Sequence, residues 1–296
     1  MYMSIKEIID AANQRQKPIY ELAIEQEIEQ TKTSYEDVWR KMERNLVTME
    51  NAVKKSAEGN GVFSPTGLSG GDAVKIKQYR ESGKTLSGDL MMLGVQNAIG
   101  VNEVNASMGV ICATPTAGAS GTIPGVLFSI QDSLQLSHED KVHFLFTSAL
   151  LGMVVANNAC ISGAFGGCQA EVGSASAMAA AAAVEAAGGT PQQSSDAFST
   201  ALQNLLGLVC DPVAGLVEVP CVKRNAIGTA NALVAADIAL AGVTNIINAD
   251  EVIEAMFIVG RQMPRELRET GLGGIAATPT GIAIKNKIFE DKVTRK

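Results

Sequence analysis

The sequence lacks an excess of positive charge. Its 24 lysines and arginines are outnumbered by 31 aspartates and glutamates, so the net charge at pH 7 is −7. Proteins whose main partner is DNA or RNA neutralise phosphates with clustered basic side chains and release the bound counterions. No basic stripe of this kind is present, and the composition therefore argues against nucleic acid as the main partner of this acidic chain.

A long uninterrupted apolar segment is also missing. Residues 144–170 contain no charged side chain, but glycine and asparagine interrupt the segment, and its solidly apolar part ends near Ala156. A membrane-spanning helix needs about 20 predominantly apolar residues. We therefore interpret the segment as a buried helix followed by a glycine-rich turn, and we expect no membrane association.

Neither an export signal nor a disulfide framework is indicated. Residues 4–10 already mix lysine, glutamate and aspartate with apolar residues, unlike the apolar centre of a signal peptide. The five cysteines are an odd number in a long chain, which favours a reducing compartment. We expect a cytoplasmic protein.

Aromatic residues and strand-like alternation are scarce, and both observations favour a helical protein. Aromatics make up 4% of the chain, and few segments alternate apolar and polar residues. Residues 174–187 are nearly all alanine, the strongest helix former. We predict an all-α fold, an alanine- and glycine-rich multi-helix bundle in which this alanine-rich helix is central.

The distribution of charge divides the chain into regions. The ends are densely charged, whereas the middle is dominated by small and apolar residues. We predict a single catalytic domain, residues 1–296, made of a polar helical arm (1–58), a glycine-rich loop (59–71), a core (72–285) and a charged tail (286–296). Helices are expected over residues 18–31, after Ser34, and over 225–240 and 250–262.

The two histidines are not spaced to share a metal. His138 and His143 lie five residues apart, about 500° of rotation on a helix, so their side chains point roughly 140° apart. We interpret His138 as lying near a helix start after Ser137, and His143 as lying on a helix flank. The phosphate-binding loop and the nucleophile elbow are incomplete or absent in this sequence.

Three of the cysteines, Cys168, Cys210 and Cys221, lie in uncharged segments punctuated by glycine or proline. Thiolates presented from turns in apolar surroundings are suitable ligands for a multi-iron centre. Three ligands instead of four would leave one metal position free for a substrate. The spacing differs from that of ferredoxins and zinc knuckles, and buried, non-ligating cysteines are the alternative on composition alone.

The sequence around these cysteines resembles a known family. Residues 160–173, 210–226, 113–124 and 268–274 are similar to signature segments of the iron–sulfur-dependent L-serine dehydratases. The resemblance covers residues 60–285 and is to the separate α subunit of the two-chain form. It implies a lyase that deaminates L-serine to pyruvate and ammonia, with a β subunit completing the active site. It is also compatible with a homo-oligomer.

The resemblance also implies a cofactor. The three cysteines would bind a [4Fe–4S] cluster whose fourth iron is open to the serine hydroxyl, and no pyridoxal phosphate would be needed. Cys112 and Cys160 match no ligand position, and residues 288–296 contain no cysteine that could cap the open iron, as the tail of single-chain relatives does. Lys223 and Arg224 either offset the cluster's negative charge or lie on the surface. A non-catalytic iron–sulfur redox or iron-sensing protein is the alternative function.

Substrate-binding residues are expected in a threonine-containing turn. Thr114 and Thr116 are candidates for binding the substrate carboxylate, and a proline-containing turn capped by its own hydroxyls is the alternative. Glu171, three residues after Cys168, is expected near the cluster, behind its ligands. The sequence does not identify the general base. A second Ala-Thr-Pro-Thr element at 277–280 predicts a similar turn.

Overall fold

The computed structural model describes the backbone of residues 1–293 and the side chains of residues 1–289. This part of the chain has no β-sheet, only isolated bridges, so the prediction of an all-α fold is confirmed. Its α-helices are α1 Ile5–Arg15, α2 Ile19–Thr31, α3 Tyr35–Ser56, α4 Asp72–Glu81, α5 Asp89–Ala106, α6 Thr122–Ile130, α7 His138–Asn158, α8 Gly163–Gly166, α9 Ser174–Ala186, α10 Pro191–Gln203, α11 Cys221–Leu240, α12 Ala249–Gln262 and α13 Pro279–Val293.

Several helices begin at a capping side chain. Ser34 and Asn248 each accept a hydrogen bond from the backbone N–H three residues later, at the starts of α3 and α12. Ser137 and Thr190 form complete capping boxes at the starts of α7 and α10. Each bond satisfies an N–H group that the first helical turn cannot pair internally. The helix predicted after Ser34 and the helix start predicted after Ser137 are therefore confirmed.

The alanine-rich helix α9 lies at the centre of the fold, as predicted. Every residue from Ser174 to Val184 is buried, and α6, α7, α10 and α11 pack around it. Small side chains let neighbouring backbones approach closely. The Ser176 hydroxyl, for example, donates directly to the carbonyl oxygen of Gly228 on α11 at 2.8 Å.

The predicted polar arm, α1 to α3, packs against the other helices. Its buried side chains include Ile5, Leu22 and Leu46, which belong to the same apolar cluster as residues of α7, α9 and α10. α2 packs on α7, and α3 packs on α5 and α7. The polar residues of the arm are thus its solvent-facing side.

The uncharged segment at 144–170 forms a buried helix followed by a turn. Its first part completes α7, most of whose side chains there are buried, and the remainder is the glycine-rich turn around α8. None of the described helices is both long and apolar enough to cross a membrane. His138 is the first residue of α7, and His143 stacks on the ring of Tyr20 with 3.7 Å between centroids.

The glycine-rich loop 59–71 is bonded to the segment that precedes α11. The hydroxyls of Thr66 and Ser69 donate to the two carboxylate oxygens of Glu218, at 2.8 and 2.6 Å. Gly70 has a φ of 139°, and a Cβ at this position would lie 2.5 Å from the carbonyl oxygen of Val62. Only glycine tolerates this combination.

The two Ala-Thr-Pro-Thr elements adopt different structures, so the expectation of two similar turns is wrong. The hydroxyl oxygen of Thr278 accepts the N–H of Gly281 at 3.1 Å, near the start of α13. In the first copy, the Thr114 hydroxyl, which is equivalent to that of Thr278, has no hydrogen-bond partner within the described chain, and the Thr116 hydroxyl donates to Glu171 at 2.6 Å. Different tertiary partners therefore decide the structure of each copy. α13 runs through the predicted start of the charged tail, and residues 294–296 of that tail lie outside the described residues.

Candidate metal centre

Cys168 lies at the point where the glycine-rich turn enters the central helix. It directly precedes a π-helical turn, Gln169–Gly173, that continues into α9. The side chain of Gln169 donates to the carbonyl of Met256 at 2.9 Å and accepts the N–H of Gly207 at 2.8 Å. π-Turns inside helices are frequent at functional sites. These bonds hold the backbone beside Cys168 against two other segments of the chain.

Cys210 is held by the C-terminal segment that carries one of the signature sequences. Its N–H donates to the carbonyl of Leu267 at 2.8 Å, and its carbonyl accepts the N–H of Glu269 at 2.6 Å. These bonds form an isolated parallel bridge between Cys210 and Arg268. Residues 268–274 therefore contribute to the site by fixing a cysteine and by lining the space beside it.

Cys221 is the first residue of α11, and Asn225, one turn later, anchors this end of the helix. The Asn225 amide donates to the carbonyls of Cys221 at 3.0 Å and Gly118 at 2.6 Å. Its oxygen accepts the N–H of Gly121 at 3.0 Å and the Thr122 hydroxyl at 3.2 Å. One fully buried side chain thus joins a cysteine segment to the threonine-containing segment.

The three thiols are buried and influence one another. Burial, together with the nearby Glu171 carboxylate, raises the pKa of Cys168 and of Cys221 to about 12. Burial also raises the pKa of Cys210, with added contributions from Glu171 and from the other two cysteines. Without a cation to stabilise thiolates, all three are therefore neutral thiols at pH 7.

Glu171 lies at the centre of this group. Its two carboxylate oxygens accept the Thr116 hydroxyl at 2.6 Å and face the Cys210 sulfur at 3.7 Å. A Cβ on Gly163 would lie 2.4 Å from the Glu171 carboxylate and 3.0 Å from that sulfur. Burial raises the pKa of Glu171, while the hydrogen bond from Thr116 opposes the shift. Glycine at position 163 leaves the room in which this carboxylate and thiol meet.

The two threonine candidates have different surroundings. The Thr116 hydroxyl is already bonded to Glu171. The Thr114 hydroxyl is buried and has no hydrogen-bond partner within the described chain. A buried hydroxyl without a partner is costly, so Thr114 is the one of the two that is available to a ligand.

The two basic residues that follow Cys221 have different surroundings. Arg224 is largely buried, pairs with Asp211 at 2.8 Å and donates to the carbonyl of Val209 at 2.6 Å. Its positive charge lowers the pKa of Cys168 and Cys221 against the effect of burial. Lys223, by contrast, is exposed. Asp211 and Asn225 were not assigned a role from the sequence. The available signal was their position, since Asp211 directly follows Cys210 and Asn225 lies one turn into α11.

The two remaining cysteines have different neighbours. Cys112 packs at the edge of the main apolar cluster. Cys160 is partly buried beside Gly166, where an added Cβ would lie 2.6 Å from its sulfur. Burial raises the pKa of both thiols. Their packing agrees with the expectation that they are not ligands, which remains a prediction.

The donor set fits a multi-iron cluster better than a single ion. Among the described residues, no three or more His, Cys, Asp or Glu side chains are grouped to hold one metal ion. In an iron–sulfur cluster each thiolate binds a different iron, so the ligands stand further apart than around one ion. The three cysteines supply buried thiols from three segments of the chain, and Gly163 leaves space beside one of them, Cys210, so the residue types and their burial are compatible with such a cluster.

Comparison with known proteins identifies the family of this chain. Residues 14–276 match the family model described as serine dehydratase alpha chain. The chain belongs to this family. All six residues predicted for the site, Thr114, Thr116, Cys168, Glu171, Cys210 and Cys221, lie within the matched range. The resemblance inferred from the signature segments is therefore confirmed at the level of the family.

Proteins similar to this chain differ in length. The chain is 58% identical over 289 residues to a probable L-serine dehydratase alpha chain of Bacillus subtilis (strain 168), covering 98% of this chain and 96% of the relative. It is 42% identical over 291 residues to the L-serine dehydratase alpha chain of Peptoniphilus asaccharolyticus, covering 98% and 99%. An L-serine dehydratase of Helicobacter pylori (strain J99 / ATCC 700824) is 33% identical over 286 residues, which are 94% of this chain but 62% of that protein.

Proposed function

We propose that this chain is the [4Fe–4S]-bearing subunit of an enzyme that converts L-serine to pyruvate and ammonia. The observation that carries the proposal is the grouping of three buried thiols, from three segments of the chain, around one carboxylate. The proposal is further supported by the names of the relatives, which are L-serine dehydratases or their alpha chains.

Cys168, Cys210 and Cys221 would hold the cluster. When bound, it would supply an iron that withdraws electron density from the serine hydroxyl and helps it to leave. The Thr114 hydroxyl, buried and unpaired within the described chain, is proposed to donate to the substrate carboxylate. Thr116 is proposed to act through Glu171, because its hydrogen bond fixes the carboxylate beside Cys210.

The overall reaction needs no pyridoxal phosphate. Loss of the α-proton, together with departure of the β-hydroxyl as water, leaves aminoacrylate. This compound tautomerises to an imine, which water hydrolyses to pyruvate and ammonia. The chain's part is to hold the substrate so that the carbon–hydrogen and carbon–oxygen bonds break in one bound orientation. No residue of this chain is assigned as the base that removes the α-proton.

We also propose that a second chain completes the enzyme. Relatives of similar length are named alpha chains, whereas others carrying the plain name L-serine dehydratase are longer than this chain. The additional part of those longer proteins would then correspond to a separate beta chain here, and it could supply the missing base. A cytoplasmic, reducing location is proposed because buried thiols must stay reduced to bind iron.

Anaerobic reconstitution tests the proposal. The chain would be loaded with iron and sulfide, its iron content and visible spectrum recorded, and pyruvate measured after addition of the beta chain and L-serine. We expect about four irons per chain and pyruvate formation. Alanine at position 168, 210 or 221 should abolish both, whereas the matched controls Cys112→Ala and Cys160→Ala should retain both.

Each other outcome has a defined meaning. A cluster without pyruvate, in the presence of the beta chain, would favour the redox or iron-sensing protein over the lyase. Iron binding that is indifferent to the three cysteines would contradict the assignment of the ligands. Pyruvate formed by iron-free protein would contradict the proposed chemistry.

A further inference from the structure

An open cavity of about 560 Å³ lies beside the proposed metal centre. Its walls come from the turn of α8, the segment before α11 and the C-terminal signature segment. The lining residues are Ala164, Gly215, Arg265, Arg268, Glu269 and Thr270. Neither the ligand assignment nor the proposed role of the threonines makes use of this cavity.

The backbone connects this cavity directly to Cys210. Arg268 forms the parallel bridge to Cys210, and the Glu269 N–H donates to the Cys210 carbonyl at 2.6 Å. Ala164, another lining residue, follows Gly163, where an added Cβ would lie 3.0 Å from the Cys210 sulfur. A ligand in the cavity would therefore lie next to a proposed iron ligand.

The Arg268 guanidinium in this cavity is incompletely bonded. Its Nε is buried and has no hydrogen-bond partner within the described chain. Its Nη1 reaches the carbonyl of Phe165 at 3.5 Å, the long limit of a hydrogen bond. No carboxylate of the described residues forms an ion pair with it. Nε is thus an unpartnered donor on a half-buried side chain beside the cavity, and an anion bound there would satisfy it.

We propose that Arg268 binds the α-carboxylate of the amino-acid substrate. The inference rests on the proposed function and adds to it the residue that recognises the charged end of serine. A guanidinium presents Nε and Nη as a planar fork that matches the two oxygens of a carboxylate.

Variants of Arg268 in the reconstituted two-chain enzyme test this inference. Arg268→Gln should raise the KM for L-serine about tenfold to 100-fold, the range for lost hydrogen bonds to a charged group. Arg268→Lys keeps the charge but loses the fork, and its effect should be intermediate. Arg261→Gln is the matched control, because it removes the same charge from an exposed side chain close by. The guanidinium of Arg261 lies 5.8 Å from the ring centroid of Phe165. Iron content and visible spectrum should be unchanged in all three.

Two further readouts distinguish carboxylate binding from a structural role. L-Serinamide lacks the negative charge, so the preference of the wild type for serine over serinamide should largely disappear in Arg268→Gln. The second readout uses the chain alone, without the beta chain, in forms with and without the cluster. L-Serine should slow the modification of Arg268 by phenylglyoxal, as measured by mass spectrometry. The second readout needs no turnover and remains informative if the wild type forms no pyruvate.

Three results would overturn the inference. The first is a KM in Arg268→Gln that changes no more than in Arg261→Gln. The second is an equal loss of activity on serine and serinamide. The third is modification of Arg268 that L-serine leaves unchanged in both forms of the chain but that the beta chain blocks, because the anion would then belong to the partner protein.

Discussion

Replacing Asn225 by aspartate should destabilise the chain without altering its shape. Asn225 is fully buried, and its two donors and its acceptor oxygen are all used, in bonds to Gly118, Cys221, Gly121 and Thr122. Asn225→Asp keeps the acceptor oxygen but replaces the NH2 group by a second oxygen. Two carbonyl oxygens would then face an oxygen atom in place of a donor.

The structure sets the size of this effect. A buried polar group that loses its partner costs about 1–3 kcal/mol, so two such losses amount to about 2–6 kcal/mol. Cys221 begins α11, so its carbonyl keeps a second partner, the backbone N–H of Asn225, in the variant. One of the two losses is therefore partial, which favours the lower half of the range. At about 2 °C per kcal/mol for a chain of this size, the lower half of that range, about 2–4 kcal/mol, should lower the melting temperature by about 4–8 °C.

Thermal unfolding of the metal-free chain, followed by circular dichroism, measures this change. Asn45→Asp is the matched control, because Asn45 is exposed on α3 and the chemical change is identical. It should alter the melting temperature by about 1 °C or less, since surface substitutions are usually within ±0.5 kcal/mol. Equal shifts in the two variants would refute the reasoning that Asn225 joins the two segments through four hydrogen bonds.

Three further predictions concern other parts of the chain. Gly163→Ala places a Cβ 2.4 Å from the Glu171 carboxylate, and it should cost about 1–3 kcal/mol by overpacking and reduce the iron bound on reconstitution. Burial lowers the pKa of His143, so the unfolded chain binds more protons. The free energy of unfolding should therefore fall as the pH drops below about 6.5, and His143→Phe should remove that part of the loss. Glu218→Ala removes both acceptors of the hydroxyls in loop 59–71, and hydrogen exchange should become faster in that loop.

Each of these predictions has a control. Gly173→Ala adds a Cβ with ordinary contacts, the nearest at 3.5 Å, and iron binding equal to that of the Gly163 variant would contradict the steric argument. His138→Phe alters the exposed histidine of α7, and it should leave the acid-dependent loss near its wild-type size. For the loop, Glu58→Ala removes an exposed carboxylate nearby, and faster exchange in both variants would indicate a general effect of charge.

The helices could be predicted closely because their signals are local. The predicted helices at 18–31, 225–240 and 250–262 correspond to α2, α11 and α12, with starts within four residues of those observed. Capping side chains, apolar periodicity and alanine content act over a few residues and are visible in the sequence. The largest error is at the start of α11, because Pro220, the residue that precedes this helix, has no side chain that could cap it.

Part of the candidate site was also visible in the sequence. Cys168, Cys210 and Cys221 were identified from their uncharged, glycine- and proline-punctuated surroundings and from the family's signature segments. Glu171 was expected beside the ligands, and its contact with the Cys210 sulfur agrees with that expectation. The role of each residue in binding the cluster remains a prediction.

The sequence by itself determined the helical class, the central position of the alanine-rich helix and the family, because composition, periodicity and signature segments are properties of neighbouring residues. Only the tertiary structure decided that Thr116 is bonded and Thr114 free, and that Arg268 lies beside Cys210. Those contacts join residues separated by about 55 positions or more, and they form only when packing of the helices brings distant turns together.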